Sequence, residues 1–170
     1  MSEEQRLERW YDAHAQALFA YLLNLTGSEP DTRDLLQELF IRLAGRPSLL
    51  ASARDPRRFL LRMAHNLAID RSRRQSTRER TVTELAHETN HRFAPSSDPD
   101  VATFRRELAA ALDTLPHEQR AVVHLKHWEE LTFEQIADLL EIPLNTAASR
   151  YRYGIDKLRE RLRPLYSEIQ

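Results

Sequence analysis

The chain has 170 residues, 41% of them hydrophobic and 30% charged, with no cysteine and a formal net charge of -1. That composition supplies a core for one domain or two small ones, and it excludes disulfides, thiol catalysis and cysteine-ligated zinc. The N-terminal MSEEQRLERW lacks the apolar core of a secretion signal, and no apolar run approaches the ~18 residues of a membrane span, so a cytoplasmic location without membrane insertion is expected.

The first 45 residues carry 8 acidic against 4 basic side chains and read as two helices. In LERWYDAHAQALFAYLLNL, Leu7, Trp10, Tyr11, Leu18, Tyr21, Leu22 and Leu25 recur at helical spacing, and Gly27 closes the segment. Asp31 is placed to cap a second helix through TRDLLQELFIRLAG, whose Leu35, Leu36, Leu39, Phe40 and Leu43 form one stripe that Gly45 and Pro47 end. RPSLLASARD, residues 46–55, reads as a loop with apolar character. Asp55 followed by Pro56 is a start signal, because proline at the first helical position loses no needed hydrogen bond. The third helix, RRFLLRMAHNLAIDRSRR, turns Phe59, Leu60, Met63, Leu67 and Ile69 inward and leaves Arg58, Arg62, His65, Asn66, Arg73 and Arg74 for the outer surface. Residues 54–80 hold 9 Arg against Asp55, Asp70 and Glu79, a balance of +6 that marks a surface suited to a polyanion.

Residues 76–102 have scattered apolar positions, room for a short helix at VTELAHE, and a linker signature in APSSDPD. Helical segments then resume with FRRELAAALDTL and LPHEQRAVVHLKHW, where Pro116 takes the first turn and Ala121, Val122 and Leu125 turn inward. In LTFEQIADLL, Thr132 and Gln135 fit a capping box. After EIP comes NTAASRYRYGIDKLRERLR, with Asn145 as its cap, Ala148, Tyr151, Ile155, Leu158 and Leu162 on one face, and 6 basic groups against Asp156 and Glu160 over residues 145–164.

Two helices joined by so short a turn make a helix-turn-helix: Ala137 permits close crossing, Ile136 and Leu140 supply core, and Ile142 fills the turn. The second helix then fits a major groove about 12 Å wide. Thr146, Ser149, Arg150 and Arg152 are the groove-facing candidates, with Arg150 as base reader and Arg152 and Lys157 as phosphate anchors. A solvated helical hairpin is the bland alternative, and the capped preceding helix and tight turn weigh against it.

Residues 115–162, LPHEQRAVVHLKHWEELTFEQIADLLEIPLNTAASRYRYGIDKLRERL, resemble the promoter-reading region 4 of bacterial sigma factors of the extracytoplasmic-function (ECF) type, in the sigma-70 superfamily. DTRDLLQELFIRLAG and FLLRMAHNLAIDRSRR resemble the helices of region 2 in the same family. The resemblance implies an all-α protein: an N-terminal helical bundle at 1–75, a flexible linker at 76–102, and a C-terminal four-helix domain with the helix-turn-helix at 103–166. It implies that region 2 binds the clamp helices of the RNA polymerase beta-prime subunit and melts the promoter minus-10 element, while region 4 rests on the beta flap and reads the minus-35 element. Promoter DNA, core RNA polymerase and an anti-sigma factor are the partners it implies, with no cofactor.

Carried onto this chain, Asp34, Gln37, Glu38 and Arg42 face the clamp. Residues 46–55 with Arg62, His65 and Asn66 correspond to the segment that captures a flipped minus-10 base, Arg73 and Arg74 to DNA-backbone contacts, and Arg150 with its neighbours to minus-35 readers. The chain departs from the family at Phe59, where many members have tryptophan. Asn145, Ala147 and Ala148 replace a glycine, a β-branched residue and a lysine, and Glu130 stands where glycine is frequent. The loss of lysine at 148 removes one phosphate contact.

Other chemistries find little support. Asp34 and Glu38, one turn apart, sit among arginines rather than in a catalytic setting, and the histidine pairs 87/91 and 124/127 lack a third metal ligand nearby. With only 3 glycines, no phosphate-binding loop and no activated nucleophile, the chain is not expected to be an enzyme. The competing classes are a conventional helix-turn-helix regulator acting on a palindrome without polymerase, and an interaction protein that binds polymerase or an anti-sigma factor without initiating transcription.

Overall fold

Serine at position 2 begins the first helix, α1 (Glu3–Thr26), with a capping box in which its hydroxyl and the Gln5 side chain each accept the other's backbone amide. Gly27 ends it in the left-handed region, φ 66°, a conformation open to glycine at little steric cost. In this computed structural model residues 1–79, 93 and 96–167 are described; the VTELAHE segment and the 87/91 histidine pair lie outside them. All regular structure among the described residues is helical.

Helix α2 (Glu29–Ala44) is capped by Ser28, whose hydroxyl accepts the Asp31 amide, so Asp31 is not the cap expected of it. Ser28 wins because the chain turns helical three residues earlier, through Glu29 and Pro30, and Asp31 is left to point across to another helix. Buried Thr32 donates to the Ser28 carbonyl and meets the Thr26 hydroxyl at 2.8 Å, which ties the turn to both helices. Residues 47–52, read as loop, form a short helix α3 (Pro47–Ser52) that buries Leu50. Pro47 at its first position predisposes the backbone to that turn.

Helix α4 (Pro56–Glu79) starts where the Asp-Pro pair put it: the Asp55 carboxylate accepts the Arg58 amide at 3.1 Å and its guanidinium at 2.7 Å. Burial pushes the Asp55 carboxyl up, but the Arg58 amide and guanidinium, with Arg57, outweigh it and hold the group below the ordinary carboxylate value. Leu18, Tyr21, Leu22 and Leu25 of α1, Leu35, Leu39 and Leu43 of α2, and Leu60, Leu61, Ala64, Leu67 and Ala68 of α4 share one core. Each fully buried leucine contributes about 1.5–3 kcal/mol relative to exposure. Trp10 packs edge-on against Phe59, with centroids 6.4 Å apart. Tyr11 packs at the edge of the core, 49% exposed and edge-on to Phe40.

The remaining helices are α5 (Pro99–Asp113), α6 (His117–His127), α7 (Phe133–Leu140) and α8 (Leu144–Ser167). Helix α5 starts inside the stretch read as linker, capped by Asp98, and Phe93 packs against the core that α5 helps to build. That core joins Ala111, Leu112 and Leu115 to Val123 of α6 and to Leu158 and Leu162 of α8. Gly154 lets α8 approach α6: a Cβ there would lie 2.8 Å from a Val123 methyl. The chain thus divides into two compact helical units, Met1–Glu88 and Thr89–Gln170. Among the described residues no helix is long and apolar enough to cross a membrane.

Candidate nucleic-acid and protein interface

In the first unit, α2 presents a charged ridge. Asp34, Gln37 and Arg42 are exposed and Glu38 is half-exposed, with Arg42 paired to Glu38 one turn away. Such surface pairs add little stability, so these side chains remain available to a partner. Beside the ridge runs an apolar groove lined by Tyr11, Phe19, Leu36, Phe40 and Ile41, and Ile41 is 63% exposed. Sequence reasoning missed Ile41 as a surface residue, although it falls just off the apolar stripe of α2 and that offset is the signal.

Behind the ridge, α2 is fastened to α4. Arg71 donates to Asp31 at 2.6 Å and lies 3.6 Å from Asp34, while Gln75 donates to the second Asp31 oxygen at 3.4 Å. Both partners of the main pair are about two-thirds screened from solvent, at 31% and 27% side-chain exposure, and the pair spans two helices.

On α4, Asn66, Arg73 and Arg74 are exposed and Arg62 is half-buried. Arg74 lines a cleft with Arg42, Arg71 and Arg78, so the basic character of this helix is shared with α2. His65 departs from the expected outward position. It is half-buried, its Nδ1 lies 2.8 Å from the Tyr21 hydroxyl, and the two rings stack at 6.2 Å and 21°. The cause is helical geometry: His65 stands next to Ala64, which faces the core fully, so its ring reaches inward over α1.

In the second unit, Thr132 and Gln135 form the expected capping box at the start of α7, and Ile136, Ala137 and Leu139 are buried beneath it. Leu139 takes the inward place expected of Leu140. Glu141 turns the chain through the left-handed region, φ 56°, and the Ile142 amide reaches back to the Ala137 carbonyl at 3.0 Å. Helix α8 begins at Leu144, so Asn145 lies within its first turn rather than capping it. Ala147 is fully buried and Ala148 is only half-buried, which rotates the inward face by one residue from the expected one.

That rotation gives Ala147, Tyr151, Gly154, Leu158 and Leu162 as the inward line of α8. Thr146, Ser149 and Arg150 are half-buried along its flank, and Arg152 and Lys157 are exposed, with Arg152 over the Tyr153 ring at 5.4 Å. An aromatic and polar cluster that sequence reasoning did not identify secures the helix. Tyr151 meets His127 Nε2 at 2.9 Å and packs edge-on to Phe133 at 5.3 Å, and Lys126 sits 4.6 Å over that ring. His124 is buried, 3.8 Å from buried Glu129, and stacks on half-exposed Trp128. His124 and His127 both pack on the Trp128 ring, and each has a further partner, Glu129 for His124 and Tyr151 for His127.

The chain matches two family models: Sigma-70 region 2 over residues 10–78 and Sigma-70, region 4 over residues 111–160. It is 34% identical over 169 residues to the ECF RNA polymerase sigma factor SigL of Mycobacterium tuberculosis, an alignment covering 96% of this chain and 93% of the relative. Identity is 27% over 171 residues to the ECF RNA polymerase sigma factor SigX of Bacillus subtilis, covering 98% and 88%. A solved structure, the sigma factor RpoE from Bartonella quintana co-crystallised with the anti-sigma factor NepR, has the same fold, with a TM-score of 0.78, 16% identity, and coverage of 92% of this chain and 96% of that one. The chain therefore belongs to the ECF RNA polymerase sigma factors of the sigma-70 superfamily.

Proposed function

We propose that this chain binds core RNA polymerase and directs promoter-specific initiation, with its first unit on the clamp helices and the minus-10 element and its second on the beta flap and the minus-35 element. The observation that carries the reading is the presence, in one chain and in this order, of a region 2 match over 10–78 and a region 4 match over 111–160. Sigma factors are not catalytic: nucleotide addition belongs to the polymerase, and this chain selects where it starts. On α2, Asp34, Gln37, Glu38 and Arg42 supply charge and hydrogen bonds to the clamp. The apolar groove beside them, with Ile41 and Tyr11, adds the burial that a stable interface needs at its centre.

On α4, Asn66, Arg62 and His65 hold an unpaired base, and Arg73 and Arg74 hold phosphates. A base leaves the duplex at a cost of a few kcal/mol, and pocket contacts together with polymerase binding offset it. On α8, Arg150 reads a base edge, Thr146 and Ser149 contact the same groove, and Arg152 and Lys157 hold phosphates. Because both elements are met by one chain on one polymerase, engagement of the second is intramolecular and gains from effective concentration. The Bartonella quintana relative is bound by an anti-sigma factor, and on that precedent an anti-sigma partner is part of the proposal. Core binding followed by promoter footprinting tests the reading: the isolated chain protects promoter DNA poorly, and the holoenzyme protects both elements.

A further inference from the structure

Three helices of the second unit meet at one half-buried side chain, Tyr151 of α8. Its ring packs edge-on to Phe133, the first residue of α7, with centroids 5.3 Å apart. Its hydroxyl lies 2.9 Å from Nε2 of His127, the last residue of α6. Both partners have contacts of their own: the His127 ring stands edge-on to Trp128 at 6.2 Å, and Lys126 lies 4.6 Å from the Phe133 centroid. The bond between Tyr151 and His127 forms whichever tautomer the imidazole adopts, because a phenol donates to a bare Nε2 and accepts from a protonated one. It is exposed to water, so what it adds is direction more than stability.

Direction matters here because the neighbouring inward positions of α8 are small. Ala147 is fully buried and offers a methyl, and Gly154 offers a hydrogen where a Cβ would stand 2.8 Å from Val123. Small residues let two helices approach closely, yet without side-chain ridges they grip little against a roll of one helix about its own axis. Tyr151 supplies the grip, reaching to the end of α6 and the start of α7. Successive helical residues are about 100° apart, so Arg150 and Arg152 project to either side of it. A roll of about 20° carries a group ~6 Å from the axis through about 2 Å, far more than a base-edge hydrogen bond tolerates.

We propose that Tyr151 is a positioning residue for minus-35 recognition: anchored on His127 and Phe133, it fixes the rotation of α8 at which Arg150 meets its base. The inference rests on the reading of α8 as the minus-35 helix. It adds a residue that touches no DNA and acts through Arg150, together with a partner at the far end of α6. Fixing the helix in advance spares the ordering cost that a rolling helix would incur on binding, and it does so for the correct base more than for others.

The test uses holoenzyme carrying Tyr151→Phe, His127→Leu or His127→Gln, bound to promoters randomised across the minus-35 element, with thermal melting of the full-length chain as a control. Tyr151→Phe keeps the ring against Phe133 and removes the hydroxyl alone. It is expected to lower discrimination at the base position read by Arg150 by about two- to tenfold, the scale of one hydrogen bond. Binding to non-promoter DNA should be unchanged. His127→Leu should match that loss, whereas His127→Gln should retain discrimination, because its amide reaches as far as Nε2 and both donates and accepts. In an Arg150→Ala background, Tyr151→Phe should cause no further loss at that position. A merely structural role gives another pattern: a lower melting temperature with every sequence weakened equally. That pattern would overturn the proposal, as would intact discrimination in Tyr151→Phe, or discrimination no better in His127→Gln than in His127→Leu. If Arg150→Ala itself leaves every minus-35 preference intact, the reading of Arg150 as base reader fails, and the positioning role falls with it.

Discussion

Arg150 and Lys157 lie on the same helix but carry different expectations. Arg150→Ala should cost about 1–3 kcal/mol at one position of the minus-35 element and relax preference there. Lys157→Ala should weaken binding evenly across sequences and lower the salt slope by about 1, as measured by holoenzyme titration at several salt concentrations. Glu130 poses a separate question, of strain. Its φ of 54° lies in the left-handed region, at a place where the family frequently has glycine. That conformation costs a side-chain-bearing residue roughly 1–2 kcal/mol, part of which glycine loses again through the flexibility of the unfolded chain. Glu130→Gly should therefore stabilise the fold by up to about 1 kcal/mol in a denaturant titration.

Several residue roles with a local cause were legible in the sequence. The Thr132–Gln135 capping box, the Gly27 stop and the Asp55–Pro56 start all follow from neighbours within three or four positions, and the structure has all three. His65 is placed differently because its partner Tyr21 lies 44 residues away, where no periodicity points to it, whereas Asp31 loses the cap locally, to Ser28 three residues earlier.

The helices themselves were readable from spacing, and their faces less so. In α8 the alanines at 147 and 148 are adjacent and equally apolar, so the pattern alone leaves the inward one open; packing chooses Ala147. The same helix depends on Gly154. Alanine is a better helix former by about 1 kcal/mol. A methyl placed 2.8 Å from a stiff valine, however, requires a shift of α8 from α6. Overpacking of that kind costs about 1–3 kcal/mol. Gly154→Ala should thus lower the melting temperature and, by moving Arg150 and Arg152, weaken minus-35 binding more than minus-10 opening. Helix α6 carries a pH signature. Burial first, then Arg120, holds His117 below the ordinary imidazole value against the opposing pull of Glu118. The unfolded chain then takes up the proton more readily, so stability is full above the unfolded value of about 6.5 and falls as pH drops through the lower folded value. A plot of melting temperature from pH 7.5 to 5 should be flatter for His117→Gln than for the native chain.

At the scale of the whole chain, a net charge of -1 hides two basic surfaces within an acidic total, and the family explains why both are needed. One is on α4 and the other on α8, in units with separate cores. The order of the two motifs was legible because each is a contiguous run of sequence. The groove beside Asp34 and Glu38 was not, since it is assembled from α1 and α2 together. Replacing Ile41 by glutamate should weaken core polymerase binding at least tenfold, the scale of one charge placed in an apolar interface centre, with the fold unchanged because the side chain is exposed.

The most direct measurement is start-site-resolved transcription by bacterial core RNA polymerase, with and without this protein, across promoter DNA of its own genome. New starts sharing two spaced elements are the predicted result, with Arg150→Ala degrading recognition of the upstream element and Asn66→Ala reducing opening at the downstream one. An unchanged set of starts, from polymerase shown to be bound by the protein, would contradict the account.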